Sequence, residues 1–248
     1  MNSVSTRRTV RAYSDQPVDD LLLQELLATA CRASNTGNMQ AYSVIVSRDP
    51  ERKRALAPFH FNQSQVTQAP VVLTFCADFN RFGKWCEQRN AQPGFANFQA
   101  FMYAAIDVVI LAQAFCEVAE EEGLGICYLG TTTYNAEQIA EALELPPLVM
   151  PITTISVGYP KTLASEPLSD RLPLDGILHQ EKYHDYTPDD INRIYAGKES
   201  LPESLYFVEL NNKETLAQIF TDIRYPKKDN EHFSEAFIKA IRKQGFQL

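Results

Sequence analysis

The sequence predicts an α+β fold, on three observations. Residues 97–122 carry a long helical pattern, with Phe101, Ala104, Ala105, Val108, Leu111, Ala112, Phe115, Val118 and Ala119 recurring at helical spacing. Residues 71–77 are almost wholly apolar and read as a central strand, buried on both faces. Shorter strand-like runs at 43–47, 126–128 and 152–157 are mixed with helical stretches, a pattern that suits a layered domain around one core.

The elements follow in order. Asp19 is placed to cap a helix over 19–32, which carries Leu22, Leu23, Leu26, Leu27 and Ala30 on one face. Residues 78–96 contain Gly83, Pro93, Gly94 and the lone Trp85, and read as a loop. In the long helix, Ile106, Val109 and Ile110 fill the remaining faces, so it is apolar nearly all round. Such a helix belongs in a core or at a subunit interface. Asp107 interrupts the apolar run and is expected to be a hydrogen-bonded or interface carboxylate. Gly123 ends the helix. Asn135 is expected to cap a helix running to about residue 145, with Gln138 at the third helical position as a capping-box variant. Pro146 and Pro147 stop that helix, and Gly158-Tyr159-Pro160 closes the last strand. A linker at 159–179 is rich in Pro, Ser and Gly. Helices are expected beyond it at 188–196, 214–223 and 231–243. The expected organisation is a main domain over 1–173 and a helical extension or dimer arm over 174–248.

Composition narrows the function. The chain has 248 residues, 45% of them hydrophobic, which supports a sizeable core. A net charge of -8 and the lack of a long Lys/Arg run argue against a nucleic-acid surface. Anionic small molecules remain possible, because local cations decide such sites. The sequence shows no uninterrupted apolar run of the roughly 18 residues that span a membrane, and its polar start carries no apolar signal core. A cytoplasmic protein without a membrane partner is the expectation. Five cysteines, Cys31, Cys76, Cys86, Cys116 and Cys127, form no Cys-x-x-Cys pair and read as small buried hydrophobes in a reducing compartment.

Two polar segments carry the chemistry. Arg7-Arg8-Thr9-Val10-Arg11 precedes the first helix, and Ser34-Asn35-Thr36-Gly37-Asn38-Met39-Gln40 follows it. Arginine forks bind phosphate oxygens. Hydroxyls, amides and backbone N–H groups line the rim of a heterocycle. Together they suit a phosphorylated, planar cofactor. A third segment, Gly123-Leu124-Gly125-Ile126-Cys127-Tyr128-Leu129-Gly130-Thr131, is Gly-rich but lacks Gly-x-Gly-x-x-Gly and follows a helix, which disfavours a Rossmann site.

These three segments, in this order, resemble the nitroreductase family over residues 5–173, and most closely its NADPH-linked, oxygen-insensitive branch. The resemblance implies a three-layer α/β/α domain with a central mixed, mainly antiparallel sheet, in an intertwined homodimer with two FMN sites at its interface. Residues matching Arg7, Thr9 and Arg11, with Arg8 beside them, would bind the phosphate, ribityl chain and pyrimidine edge of FMN. Ser34, Asn35, Thr36, Asn38 and Gln40 would reach FMN from the second subunit. Backbone N–H groups at Leu129, Gly130 and Thr131, preceded by Tyr128, would lie near the reactive edge of the flavin and stabilise charge gained on reduction. Gln63 matches an amide that reaches the ring, and Arg171 a late phosphate-binding arginine. Ser169 stands where relatives often have a lysine.

The implied activity is transfer of hydride from NADPH or NADH through FMN to a small-molecule acceptor such as a nitroaromatic or quinone, in a ping-pong cycle that needs no protein nucleophile. No catalytic side chain and no metal ligand is expected. The alternatives are a flavin reductase supplying reduced flavin and a flavin-binding module without turnover. His179, Glu181, His184 and Asp185 fit no metal signature and read as loop residues. Arg224, Lys227 and Lys228 form a basic turn that is either solvated or faces the 2′-phosphate of NADPH.

Overall fold

A computed structural model of the chain describes residues 3–162 and 168–248. Part of the linker expected at 159–179 therefore lies outside the described residues. Four strands form one sheet: β1 (Tyr42–Ser47), β2 (Val71–Asp78), β3 (Gly125–Leu129) and β4 (Val149–Gly158), in the order β1-β2-β4-β3. All neighbouring strands are antiparallel. A parallel bridge, Thr9 to Ile126, adds the N-terminal segment beside β3.

The strand pattern explains the layers. Every residue of β2 is buried. Val71, Leu73, Phe75 and Ala77 face the main core, while Val72 faces Tyr13 and Ala69 on the other side. In β3, Ile126 enters the main core and Cys127 and Leu129 enter a second cluster with Leu56, Ala57, Val66 and Ile139. A sheet with period-2 apolar residues on both faces must be covered twice. Helix Phe98–Glu121 and helix Asp20–Ala30 cover one face, and the short helices Pro50–Leu56, Ser64–Gln68 and Ala136–Ala142 the other. Each fully buried Phe, Leu or Val contributes about 1.5–3 kcal/mol.

Helix Phe98–Glu121 is long and apolar enough to cross a membrane by length and composition alone. Its Ala104, Val108, Ala112 and Phe115 are fully buried in the main core. The Asn97 side chain caps it by accepting from Ala100 N, and Gly123 follows it in a left-handed conformation at φ 78°.

Three expectations about elements are corrected. Residues 78–96 are not all loop: Asn80–Gln88 is a helix. The Asp78 carboxylate accepts from Arg81 N at its start, and Phe79 stacks on Phe95 with Phe82 edge-on to both, so aromatic packing outweighs Gly83. Asn135 does precede a helix, Ala136–Ala142, but its side chain makes no cap. Its amide instead donates to the Phe59 carbonyl at 2.8 Å. The helix expected at 214–223 is a short one, Leu216–Gln218, capped by a Thr215–Gln218 box, followed by a π-helical turn, Ile219–Arg224. A helix at Pro202–Leu210 was not foreseen.

The chain forms two compact units, one of residues 1–166 and 233–248, the other of residues 167–232. The end of the chain belongs to the first unit. There Phe246 and Phe237 meet Phe101, and Gln244 exchanges hydrogen bonds with Leu148 and Val149. The second unit contains helices Pro188–Glu199 and Pro202–Leu210. It also holds a cavity of about 560 Å³ lined by Leu172, Tyr195, Leu216 and Phe220 among others.

Candidate functional site

The arginine segment is stitched to β3. Val10 N donates to the Ile126 carbonyl at 2.9 Å. This approach depends on Gly125, where a Cβ would lie 2.6 Å from the Val10 side chain. Tyr13 ties the segment to β4, its hydroxyl 2.8 Å from the Val10 carbonyl and 2.8 Å from Ser156 Oγ. Residues 7–11 are thus held by the sheet, although they belong to no regular element.

The four polar members of the segment differ. Arg7 Nε lies 3.4 Å from Glu120 Oε1 and the guanidinium lies over the Tyr128 ring at 5.9 Å. Among the described residues neither Arg7 Nε nor Glu120 Oε1 makes a hydrogen bond, so the contact is ionic. Burial lifts the Glu120 carboxyl to about 6, against the pull of Arg7. Arg8 Nη1 is buried and has no hydrogen-bond partner among the described residues. Thr9 and Arg11 are exposed. Arg11 lies by the Cys127 thiol, which burial raises and Arg11 opposes.

A polar chain connects this segment to Gln63. Gln65 Nε2 donates to Gln63 Oε1 at 2.7 Å and lies 3.9 Å from Cys127 Sγ. Sequence reading placed Gln63 but missed Gln65, Arg11's neighbour Cys127 as anything more than core, and His60. Beyond β3 the turn Gly130–Thr132 begins directly after the buried Leu129. Gly130 is exposed and Thr131 buried. His60 Nδ1 lies 2.8 Å from Thr131 Oγ1.

The second polar segment is anchored elsewhere. Thr36 donates twice to Asp107 Oδ1, from N at 2.9 Å and from Oγ1 at 3.0 Å. Gly37, Asn38 and Gln40 all have left-handed backbones. Asn38 Oδ1 accepts from Gln40 Nε2, and Asn35 Oδ1 from Gln40 N. Arg81, not foreseen, donates to the Gln40 and Tyr42 carbonyls. Ser34, Asn38 and Gln40 are exposed. Asp107 is the hydrogen-bonded carboxylate expected of it. It lies thirteen residues before Glu120 on one helix, about 20 Å at 1.5 Å per residue. One chain therefore keeps Thr36 and Arg7 well apart.

Arg171 belongs to the second unit, where its Nη1 donates to the Asp170 carbonyl at 2.8 Å. In that unit His179 contacts Tyr186 and His184, and Arg224 lies over the Phe207 and Phe220 rings. Lys227 pairs with Glu231.

The sequence model of the nitroreductase family matches residues 4–159, well over half of the chain. The chain belongs to the nitroreductase family. An FMN reductase [NAD(P)H] of Bacillus subtilis (strain 168) is 30% identical over 257 aligned residues, 100% of this chain and 98% of its own. An oxygen-insensitive NADPH nitroreductase of Salmonella typhimurium (strain LT2) is 33% identical over 177 residues, 71% of each chain. Among solved structures, a protein of Bacteroides fragilis NCTC 9343 described as a candidate oxidoreductase is 58% identical over the whole of both chains, with a TM-score of 0.97. The NfrA1 nitroreductase of B. subtilis is 28% identical over 98% of this chain and 97% of its own, with a TM-score of 0.84. The nitroreductase fold, with its antiparallel sheet between helical layers, is therefore this chain's fold.

The residues present fit FMN, the cofactor that this family implies. A buried guanidinium nitrogen without a partner, on Arg8, is costly unless an anion meets it, and a phosphate supplies one. Arg11 and Thr9 are open beside it. The Gln63 amide and the Leu129–Thr131 turn are joined to the same strand, β3.

Proposed function

We propose that this chain is an FMN-dependent NAD(P)H oxidoreductase that reduces electron-poor small molecules such as nitroaromatics and quinones. The observation that carries the reading is the Arg7–Arg11 segment, fastened to β3 with Arg8 Nη1 buried and unpartnered, in a chain of the nitroreductase family. Bound FMN would take hydride from NAD(P)H and hand it on to the acceptor.

The residues of the chain bind and orient. Arg8 and Arg11 are the phosphate-facing cations, with Arg171 as a further one, and Thr9 supplies a hydroxyl. Arg7 contributes through the part of its guanidinium that Glu120 does not engage. Gln63 and the Tyr128–Thr131 segment border the ring. Ser34, Asn35, Thr36, Asn38 and Gln40 complete the site from a second copy of the chain. The distance between the Thr36 and Arg7 anchors supports that division, because one chain cannot close it. The 174–248 extension is read as an arm of that homodimer, and the cytoplasm as its place of work.

A second reading, a reductase that supplies free reduced flavin, is favoured by one observation. The FMN reductase [NAD(P)H] relative is 30% identical along 100% of this chain. Steady-state rates with NADPH and either free FMN or a nitroaromatic as acceptor separate the two. A kcat/KM for free flavin above that for the nitroaromatic selects the reductase. Failure to oxidise either NADPH or NADH with either acceptor overturns both.

A further inference from the structure

Two turns meet at the end of β3, and they are cross-braced at three successive places. The Asn135 amide donates to the Phe59 carbonyl at 2.8 Å. His60 Nδ1 and Thr131 Oγ1 lie 2.8 Å apart. The Phe61 ring meets the Tyr134 ring at 6.3 Å. One turn leads into Gln63, and the other is Leu129–Thr131. Both are segments that the proposed function places against the flavin ring, so the inference rests on that reading.

His60 is the unusual member. Its side chain is fully buried, and Nε2 has no hydrogen-bond partner among the described residues. Leaving a buried ring nitrogen unpaired is unfavourable, and an apolar side chain of similar size would avoid it. Among the described residues, the side-chain hydrogen bond that His60 makes goes to Thr131. The Thr131 carbonyl is held as well, accepting from Tyr134 N and Asn135 N. Phe61 and Asn62, between His60 and Gln63, both have left-handed backbones, at φ 53° each. Non-glycine residues adopt that conformation only when their surroundings hold it. Burial keeps the imidazole neutral, so the bond to Thr131 persists at neutral pH.

We propose that His60 is a positioning residue. Through its hydrogen bond to the Thr131 hydroxyl it sets the Gly130–Thr131 backbone against the flavin, and through the same brace it fixes the approach to Gln63. It touches no reacting atom. Its effect is on how tightly FMN is held and on how well charge gained by the reduced ring is stabilised.

The test uses the full-length protein and four variants: His60→Leu, His60→Asn, Thr131→Val and the double variant His60→Leu/Thr131→Val. Asn can place an amide where Nδ1 stands, so it restores the bond while Leu cannot. FMN affinity is read by fluorescence titration, the reduction potential by dye equilibration, and the brace itself by hydrogen exchange of residues 129–135 in the FMN-free protein. The expected result is FMN binding weakened about fivefold to tenfold in His60→Leu and in Thr131→Val, no further loss in the double variant, and near-normal binding in His60→Asn. The potential shifts in the same order, and residues 129–135 exchange faster in His60→Leu. Additive losses, or unchanged exchange in the FMN-free His60→Leu protein, overturn the proposal. A wild-type protein that binds no FMN overturns the underlying functional reading instead, and unchanged exchange would still reject the brace separately.

Discussion

At the scale of single residues, close approach and burial decide the site. Gly125 lets Val10 lie against β3, and a Cβ there would stand 2.6 Å from the Val10 side chain. Gly125→Ala is expected to push the arginine segment off the sheet, costing about 1–3 kcal/mol and most of the FMN affinity. Urea unfolding and flavin titration check this, and Val10→Ala in the same chain should restore part of both. His60 gives a pH dependence whose sign is fixed. Burial lowers its pKa from 6.5 to about 4, so the unfolded chain binds a proton that the folded one refuses. Its contribution to stability is full above about pH 6.5 and is lost as pH falls toward 4, by up to about 3 kcal/mol. Glu120, raised to about 6, acts oppositely, since the folded chain then holds the extra proton between its ordinary value and 6. The difference between wild type and His60→Leu isolates the histidine: the unfolding free energy of wild type minus that of His60→Leu should fall as pH drops from 6.5 to 4. The arginines were legible because three cations in five residues are a chemical signal in the sequence itself. His60 was not, because its partner Thr131 is seventy-one residues away and only the sheet topology joins them.

Among the elements, the long helix serves as a ruler. Asp107 holds the Thr36 loop near its middle and Glu120 holds Arg7 near its end. Removing the first anchor with Asp107→Leu should release the loop at Thr36. The expected cost is about 2–3 kcal/mol, since two hydrogen bonds to a carboxylate are lost. FMN retention should fall with it, and Asp107→Asn, which keeps an acceptor oxygen, should retain more of both. Chemical denaturation and gel-filtered flavin content report the two effects. The helix itself was readable from its period, and β2 from its unbroken apolar run. Helix Asn80–Gln88 was hidden because Gly83, Pro93 and Gly94 weigh toward a loop, while the aromatic contacts that stabilise it join Phe79 and Phe82 to Phe95 beyond its end. Asn135 looked like a cap and instead serves a tertiary contact with Phe59, a choice no local pattern encodes.

For the whole molecule, one chain leaves a stripe of the long helix uncovered: Phe98, Met102, Ile106, Val109 and Ile110 are exposed on it. They recur at helical spacing, as residues that await another surface do. A second copy placed on that stripe would also supply the loop that one chain anchors at Asp107, thirteen residues along the helix from the Glu120 contact of Arg7. The double variant Ile106→Lys/Val109→Lys is therefore expected to sediment as a monomer and to lose FMN together with dimerisation. A monomeric variant that still binds FMN tightly would reject the shared site. The central claim is that the arginine segment and the turn after β3 hold a working flavin. Its most direct test is the visible absorption spectrum of the purified wild-type protein with FMN, gel-filtered and then mixed with NADPH without oxygen. The account predicts a retained flavin spectrum that bleaches on mixing and returns when a nitroaromatic or quinone is added. A protein that retains no flavin, or holds one that neither NADPH nor NADH bleaches, would contradict it.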